Sequence, residues 1–171
     1  IIKIKTLQEL QNSFARIGFS LGSNQQNKSQ FFLGQKYKKT SYTFLYSQTK
    51  SNGYRNNSGF KNNNLNINLF KKVNDKTNYG LSFNYVDSPY AIDPGGLTIE
   101  EVEDNRKQAR ERNIIYDSKE SIKHLKLSGS FEKKISNKLT FSKYLFFSHR
   151  GITGNITVKK GGRVKFVRSC L

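Results

Sequence analysis

The chain contains few of the residues from which catalytic and metal sites are built. Its 171 residues include one cysteine, two histidines, two prolines, and no tryptophan or methionine. A single cysteine excludes a disulfide framework, and with only His124 and His149 beside it the sequence lacks the ligands of a structural zinc site. Neither histidine has a serine or cysteine nucleophile nearby in a recognisable catalytic context. We therefore expect no enzymatic activity, no cofactor and no bound metal.

Acidic residues and long apolar runs are also scarce. Lys and Arg number 30 against 12 Asp and Glu, so the net charge is +18. No segment approaches the roughly 18 apolar residues that a membrane-spanning helix needs. A β-strand crosses a membrane with about 10 residues when apolar side chains occupy alternate positions. Because the sequence has no Met and its opening residues lack the features of a signal peptide, we expect a fragment of a longer protein.

Alternation of apolar and polar residues dominates the chain from about residue 13 to residue 86. The segments ARIGFSLG, SYTFLYSQ, NNNLNINLF and TNYGLSFNY follow this pattern, and IKHLKLSGSF and LTFSKYLFFSH extend it toward residue 149. A period of two over so many segments predicts an all-β protein with antiparallel strands. The apolar side chains that should share one face include Tyr42, Phe44, Tyr46, Leu65, Ile67, Leu69, Tyr79, Leu81, Phe83 and Tyr85.

The connections between these segments alternate in length. Those at 35–39, 72–76 and 136–138 are short, whereas those at 49–61 and 87–121 are long. This alternation predicts an up-and-down meander with short turns at one edge and long loops at the other. The alternative is an ordinary soluble antiparallel sheet with one elaborated end.

The longer loop contains one predicted helix. Thr98 is a suitable N-cap, Glu101 completes a capping box, and further acidic residues lie near the positive end of the helix dipole. We expect a helix from Thr98 to Arg112 that lies on the surface of the loop, because it has no continuous apolar face. The acidic cluster at its start is interpreted as a solvated face and not as a metal site.

Two loop motifs resemble a known family. The first runs Asn52-Gly53-Tyr54-Arg55 and continues to Asn57 and Ser58. The second combines Pro94-Gly95, Leu97-Thr98 and a charged stretch with Arg106, Gln108, Ala109 and Arg110. Each motif follows an amphipathic strand. With these two motifs, residues 1–150 resemble TonB-dependent outer-membrane receptors of the iron-complex, or siderophore, type.

The resemblance implies a partial, open segment of a 22-strand transmembrane β-barrel in the bacterial outer membrane, with about seven strands and its helix in an extracellular loop. Residues 1–12 would end the plug domain, 13–150 would form early barrel strands with long loops 49–61 and 87–121, and 151–171 would be a truncated or atypical tail. The apolar face would contact membrane lipid, and the TonB complex would act through the missing plug. The residues expected to contact the iron–siderophore ligand are Tyr54, Arg55, Arg106, Arg110 and Arg112.

Other interpretations are open at this point. The same family would also fit a different ligand, such as cobalamin or a sugar. The arginines could instead stabilise the loops by pairing with Glu101, Glu103 or Asp104. A third possibility is a soluble basic β-sheet protein that binds single-stranded nucleic acid through stacking and phosphate contacts. The cations are spread over turns and loops without a single basic stripe. This distribution favours the receptor interpretation, in which nucleic acid is not a partner.

Overall fold

The computed structural model describes residues 9–157 and 163–170, and in them the chain forms one open sheet. Eight strands follow one another in chain order, each antiparallel to the next. They are β1 Phe14–Gly22, β2 Gln26–Tyr37, β3 Thr40–Ser51, β4 Phe60–Asn74, β5 Thr77–Ile92, β6 Lys119–Lys134, β7 Thr140–Thr157 and β8 Arg163–Cys170. The predicted all-β, antiparallel up-and-down meander is confirmed.

The strand register gathers apolar side chains on one face. Phe44 lies opposite Ile67, Ile67 opposite Phe83, Phe83 opposite Leu127, and Leu127 opposite Phe147. Direct partners in an antiparallel ladder project to the same side, so this row crosses five strands on one face. All ten side chains predicted to share a face lie on it. We call it the apolar face; it also carries Phe31, Leu33, Leu125, Leu127, Phe131, Phe141, Leu145 and Phe147.

The opposite, polar face carries small hydrogen-bonded side chains together with Phe32, Leu45 and Phe70. Nδ2 of Asn68 donates to Oγ1 of Thr43 at 3.1 Å, and the hydroxyl of Ser82 donates to Oδ1 of Asn68 at 2.5 Å. Nδ2 of Asn84 donates to Oδ1 of Asn66 in the same way. These residues border a groove of about 590 Å³. Polar side chains thus satisfy one another across β3, β4 and β5 beside open space.

The sheet has almost no apolar core. Among the described residues, Leu10 is the one buried hydrophobic, at 2 % exposure, and its amide donates to the hydroxyl of Ser41. Large side chains on the apolar face are open, with Leu81 57 % exposed and Leu145 63 %. A sheet in water normally buries such a face against a second layer. Within the described part of the chain, no second layer covers it.

The connections lie at two edges of the sheet. Turns 38–39, 75–76 and 135–139 form the short-turn edge, and connections 23–25, 52–59 and 93–118 form the long-loop edge. The predicted segregation of the two long loops to one edge is confirmed. Both loops are shorter than predicted, because β3 continues to Ser51, β4 begins at Phe60, and β5 and β6 extend the ladder to Ile92 and Lys119.

The predicted helix from Thr98 to Arg112 is wrong in its extent. Two short helices are present instead, α1 Ile99–Asn105 and α2 Glu111–Ile115. The capping box is confirmed: the amide of Glu101 donates to Oγ1 of Thr98, and the amide of Thr98 donates to the Glu101 carboxylate. After α1, Oδ1 of Asn105 accepts from the amide of Lys107 at 3.0 Å. Such local side-chain bonds compete with helix continuation.

Parts of the predicted domain division fall outside the described residues. These are residues 1–8 of the predicted plug junction and residues 158–162 and 171 of the predicted tail. Position 150 marks no structural break, since β7 runs from Thr140 through Thr157 and pairs with β8. None of the described helices has the length and apolar character needed to cross a membrane.

Candidate functional site at the long-loop edge

The two long loops are joined by one arginine. The half-buried guanidinium of Arg55 donates from Nε to the carbonyl of Gln108 at 2.9 Å, from Nη1 to that of Gly95 at 2.6 Å, and from Nη2 to that of Pro94 at 3.2 Å. The amide of Asn56 also donates to the carbonyl of Lys107 at 2.7 Å. The planar fork of arginine suits several carbonyls at once, and these bonds are charge-assisted. Arg55 therefore fixes loop 52–59 against loop 93–118.

Two glycines permit the tight backbone at this junction. Gly53 and Gly95 have positive φ angles of 76° and 71°. A Cβ on Gly53 would lie 2.1 Å from Oγ of Ser58, and a Cβ on Gly95 would lie 2.6 Å from Oδ1 of Asn113. Glycine is therefore required at both positions by backbone conformation and by space.

A buried amide network holds the base of loop 93–118. Asn113 is 4 % exposed, and its Nδ2 donates to the Asp93 carboxylate at 3.0 Å. The other carboxylate oxygen of Asp93 accepts from the amide of Gly95 at 2.9 Å. The amide of Asp93 in turn donates to the carbonyl of Ser118. These bonds close the loop on itself at the ends of β5 and β6.

The turn 23–25 extends the same surface. The backbone amide of Asn52 donates to the carbonyl of Asn24 at 3.0 Å, and Nδ2 of Asn52 donates to Oε1 of Gln25 at 2.8 Å. Three connections thus meet at the long-loop edge. Hydrogen bonds link each of them to the next.

An aromatic ring and several cations project from this surface. Tyr54 is 53 % exposed, and Nζ of Lys107 lies 5.9 Å from the centre of its ring. Arg106 and Arg110 are exposed nearby in the chain, and Arg112 is exposed in the last turn of α2. A phenol beside flexible cations suits recognition of an anionic ligand with aromatic character.

One carboxyl group at the start of α1 has a lowered pKa. The pKa of the Glu100 carboxyl is lowered by a hydrogen bond from its own backbone amide and by one from the Thr98 side chain. Its position in the first turn of α1 matches the preference of carboxylates for a helix N-terminus.

The five residues predicted to contact ligand divide into two groups. Arg55 points into the loop junction, where it pairs with backbone carbonyls and not with the acidic residues considered from the sequence. The other four lie on the outer surface. Lys107 is not among the predicted residues. Its position beside Arg106 in the charged stretch is the sequence feature that indicates a further ligand contact.

A second recess lies on the polar face toward the loops. Its volume is about 420 Å³, and its lining includes Asn62, His124 and Arg150. Nε2 of His124 lies 2.9 Å from the hydroxyl of Ser148. No group of three or more His, Cys, Asp or Glu residues in the described ranges could hold a metal ion. A comparison of the sequence with models of known protein families finds no match.

Proposed function

We propose that this chain forms part of the wall of an outer-membrane β-barrel, in a TonB-dependent receptor that takes up an iron–siderophore complex. The observation that carries the proposal is the distribution of residue types on the uncovered apolar face. On β3 and β5 a tyrosine stands at each end of the apolar stretch, with Phe44 between them on β3 and Leu81 and Phe83 between them on β5. Transmembrane barrels have such an apolar band between two aromatic girdles.

The pattern is clearest on β5. Tyr79 lies toward the short-turn edge and Tyr85 toward the long-loop edge, with Leu81 and Phe83 between them. On β3, Tyr46 shares a row with Tyr85, whereas Tyr42 shares one with Leu81, so the apolar stretch between the tyrosines is shorter there. The six-residue step from Tyr79 to Tyr85 spans about 20 Å of extended strand, which at a tilt of about 40° covers roughly 15 Å of the ~25 Å band of outer-membrane barrels. Tyrosine favours both positions because its ring is apolar and its hydroxyl reaches water.

The polar face supports the same arrangement. Asn66, Asn68, Ser82 and Asn84 would face the interior of the barrel, which is polar in this class of protein. The eight strands are a minority of the 22 that the proposed barrel contains. Further strands would pair with the two free edges of the sheet.

The proposed mechanism involves binding and conformational change without covalent chemistry. Arg55 positions the two loops, while Tyr54, Arg106, Lys107 and Arg110 contact the anionic chelate through cation–π and charge-assisted contacts. Energy from the TonB complex would act through the plug to open a path. A cobalamin or sugar ligand would use the same loops with less dependence on the cations.

A different observation favours a second candidate function. On the polar face, Tyr144 and Phe146 are 59 % and 67 % exposed, and Nζ of Lys126 lies 5.7 Å from the centre of the Phe146 ring. Exposed rings beside a cation also suit stacking of single-stranded nucleic acid. We rank this function second, because it leaves the apolar face unexplained.

The receptor proposal is tested by measuring ligand binding to the whole protein. Its sequence is obtained by sequencing the DNA on both sides of the segment that encodes residues 1–171. Arg110→Ala is expected to weaken binding of a ferric catecholate chelate by about tenfold or more, because it removes a charge-assisted contact. Arg16→Ala, which removes an exposed arginine on β1 away from the long loops, is the control and should leave binding unchanged.

Three results would contradict this proposal. The first is equal chelate binding by both variants. The second is preferential, salt-dependent binding of an oligonucleotide. The third is a complete reading frame limited to these residues, since no barrel of this family could close from them.

A further inference from the structure

The short-turn edge has a different charge from the long-loop edge. Within four residues of turns 38–39, 75–76 and 135–139 there are ten lysines and only two acidic residues, Asp75 and Glu132. Within four residues of connections 23–25, 52–59 and 93–118 there are nine basic and eight acidic residues. The short-turn edge therefore has a net charge of +8, against +1 at the long-loop edge. We call the ten residues the lysine rim: Lys36, Lys38, Lys39, Lys71, Lys72, Lys76, Lys133, Lys134, Lys138 and Lys143.

Most of the rim charge is uncompensated. Lys72 pairs with Asp75 at 3.0 Å, and Lys36 lies 4.0 Å from Glu9. The pKa of Asp75 is lowered by the hydrogen bond from Lys72 and by its charge. The other eight rim lysines are exposed and have no carboxylate partner among the described residues. Neighbouring turns are two strand spacings, roughly 10 Å, apart, which is about one Debye length at 0.1 M salt, so their charges act together.

The rim is continuous with the border of the apolar face. Lys71 lies opposite Tyr79, Tyr79 opposite Phe131, and Phe131 opposite Lys143. The rings of Tyr79 and Phe131 lie 5.0 Å apart. One row across four strands thus has aromatic rings at its centre and lysines at its ends. Lysine stems cover apolar surface while their ammonium groups reach polar surroundings.

We infer that the lysine rim binds the anionic headgroups of phospholipids in the leaflet next to the short turns. The inference rests on the membrane placement proposed above. The residue type supports a headgroup layer over a single phosphate site, because the rim has lysine but no arginine. Arginine is preferred where one phosphate is held by a fixed fork, whereas lysine acts as a mobile point charge. Basic residues beside a membrane are attracted to anionic lipid in this way.

The test uses the whole protein, of which these 171 residues form part, with vesicles of phosphatidylcholine and of phosphatidylcholine mixed equally with phosphatidylglycerol. The rim variant carries Lys39→Gln, Lys76→Gln and Lys138→Gln, one exposed lysine from each turn. The control carries Lys28→Gln, Lys50→Gln and Lys123→Gln, which remove the same charge from exposed positions elsewhere. Each lysine near an anionic surface changes binding about fivefold, so the rim variant should lose roughly a hundredfold of the preference for anionic vesicles. The control should lose little.

The outcomes separate this inference from the proposed function. Equal losses in the two variants, or none in either, would overturn the rim inference while insertion into neutral vesicles still supports the barrel. Failure to insert into neutral vesicles would overturn the barrel proposal and the inference with it. Binding of a single-stranded oligonucleotide that depends on the rim, with no preference for anionic vesicles, would overturn the lipid assignment.

Discussion

Replacing Phe147 by lysine is expected to cost about 2–4 kcal/mol of unfolding free energy in a lipid bilayer, because the charge would lie near the middle of the membrane. Phe147 is 50 % exposed and lies opposite Leu127 in the central row of the apolar face. Phe83→Lys, in the same row, should have a similar effect. Denaturant titration of the whole protein folded in phosphatidylcholine vesicles measures the change.

The matched control is the neighbouring residue on the same strand. Phe146 is 67 % exposed on the polar face, and Phe146→Lys places the same charge toward water. It should change stability by no more than about 1 kcal/mol, the contribution of the exposed cation–π contact with Lys126 that it removes. Equal small effects at both positions would contradict the membrane-facing assignment, since a soluble sheet with an uncovered face tolerates both lysines.

Arg55→Ala is expected to detach the two long loops from each other. The substitution removes three hydrogen bonds to the carbonyls of Pro94, Gly95 and Gln108. Bonds that involve a charged group contribute about 1.5–3 kcal/mol each and do not add fully, so we expect a local loss of about 3 kcal/mol. Hydrogen exchange should accelerate by about a hundredfold at the amide of Asn56, which bonds across the junction to Lys107, and at that of Arg110, which bonds within loop 93–118 to the Pro94 carbonyl that Arg55 also contacts.

Two further substitutions make this prediction specific. Arg106→Ala removes an exposed arginine at the end of α1 and should leave exchange at both amides unchanged. Arg55→Lys keeps the charge but not the planar fork, so it should recover only part of the protection. If Arg106→Ala and Arg55→Ala had the same effect, Arg55 would not be the residue that fixes the junction.

Much of the sheet could be predicted from the sequence because alternation determines which side chains share a face. In NNNLNINLF and TNYGLSFNY every second residue is apolar, and a shift of one residue in register would reverse the faces. Strand β2 is not predicted by alternation, since Phe31 and Phe32 are adjacent and project to opposite faces. The strand ends are equally hard to predict. Polar positions such as Thr49, Ser51 and Asn62 carry no apolar signal, and the ladder continues through them.

The loop site was predictable only in part. The motif around Arg55 indicates a loop with a cation, but the direction of the side chain depends on carbonyls 39 to 53 residues away along the chain. No local pattern contains that information. The end of α1 depends instead on local hydrogen bonds. Oδ1 of Asn105 accepts from the amide of Lys107, and the side chain of Gln108 donates to the carbonyl of Glu101 at 2.6 Å. The helix therefore stops after two turns, although the residues that follow favour a longer one.

The account depends most on the apolar face lying in lipid, and tryptophan fluorescence tests this directly. Residues 1–171 contain no tryptophan, so in the whole protein, with any tryptophan outside this segment replaced by phenylalanine, Phe147→Trp and Phe146→Trp each give a single reporter at adjacent positions on opposite faces. In vesicles containing lipids brominated along their acyl chains, we expect a blue-shifted, strongly quenched emission from Phe147→Trp. Phe146→Trp should be weakly quenched by bromine and accessible to aqueous acrylamide. Equal acrylamide quenching of both reporters, without quenching by bromine, would contradict the membrane placement.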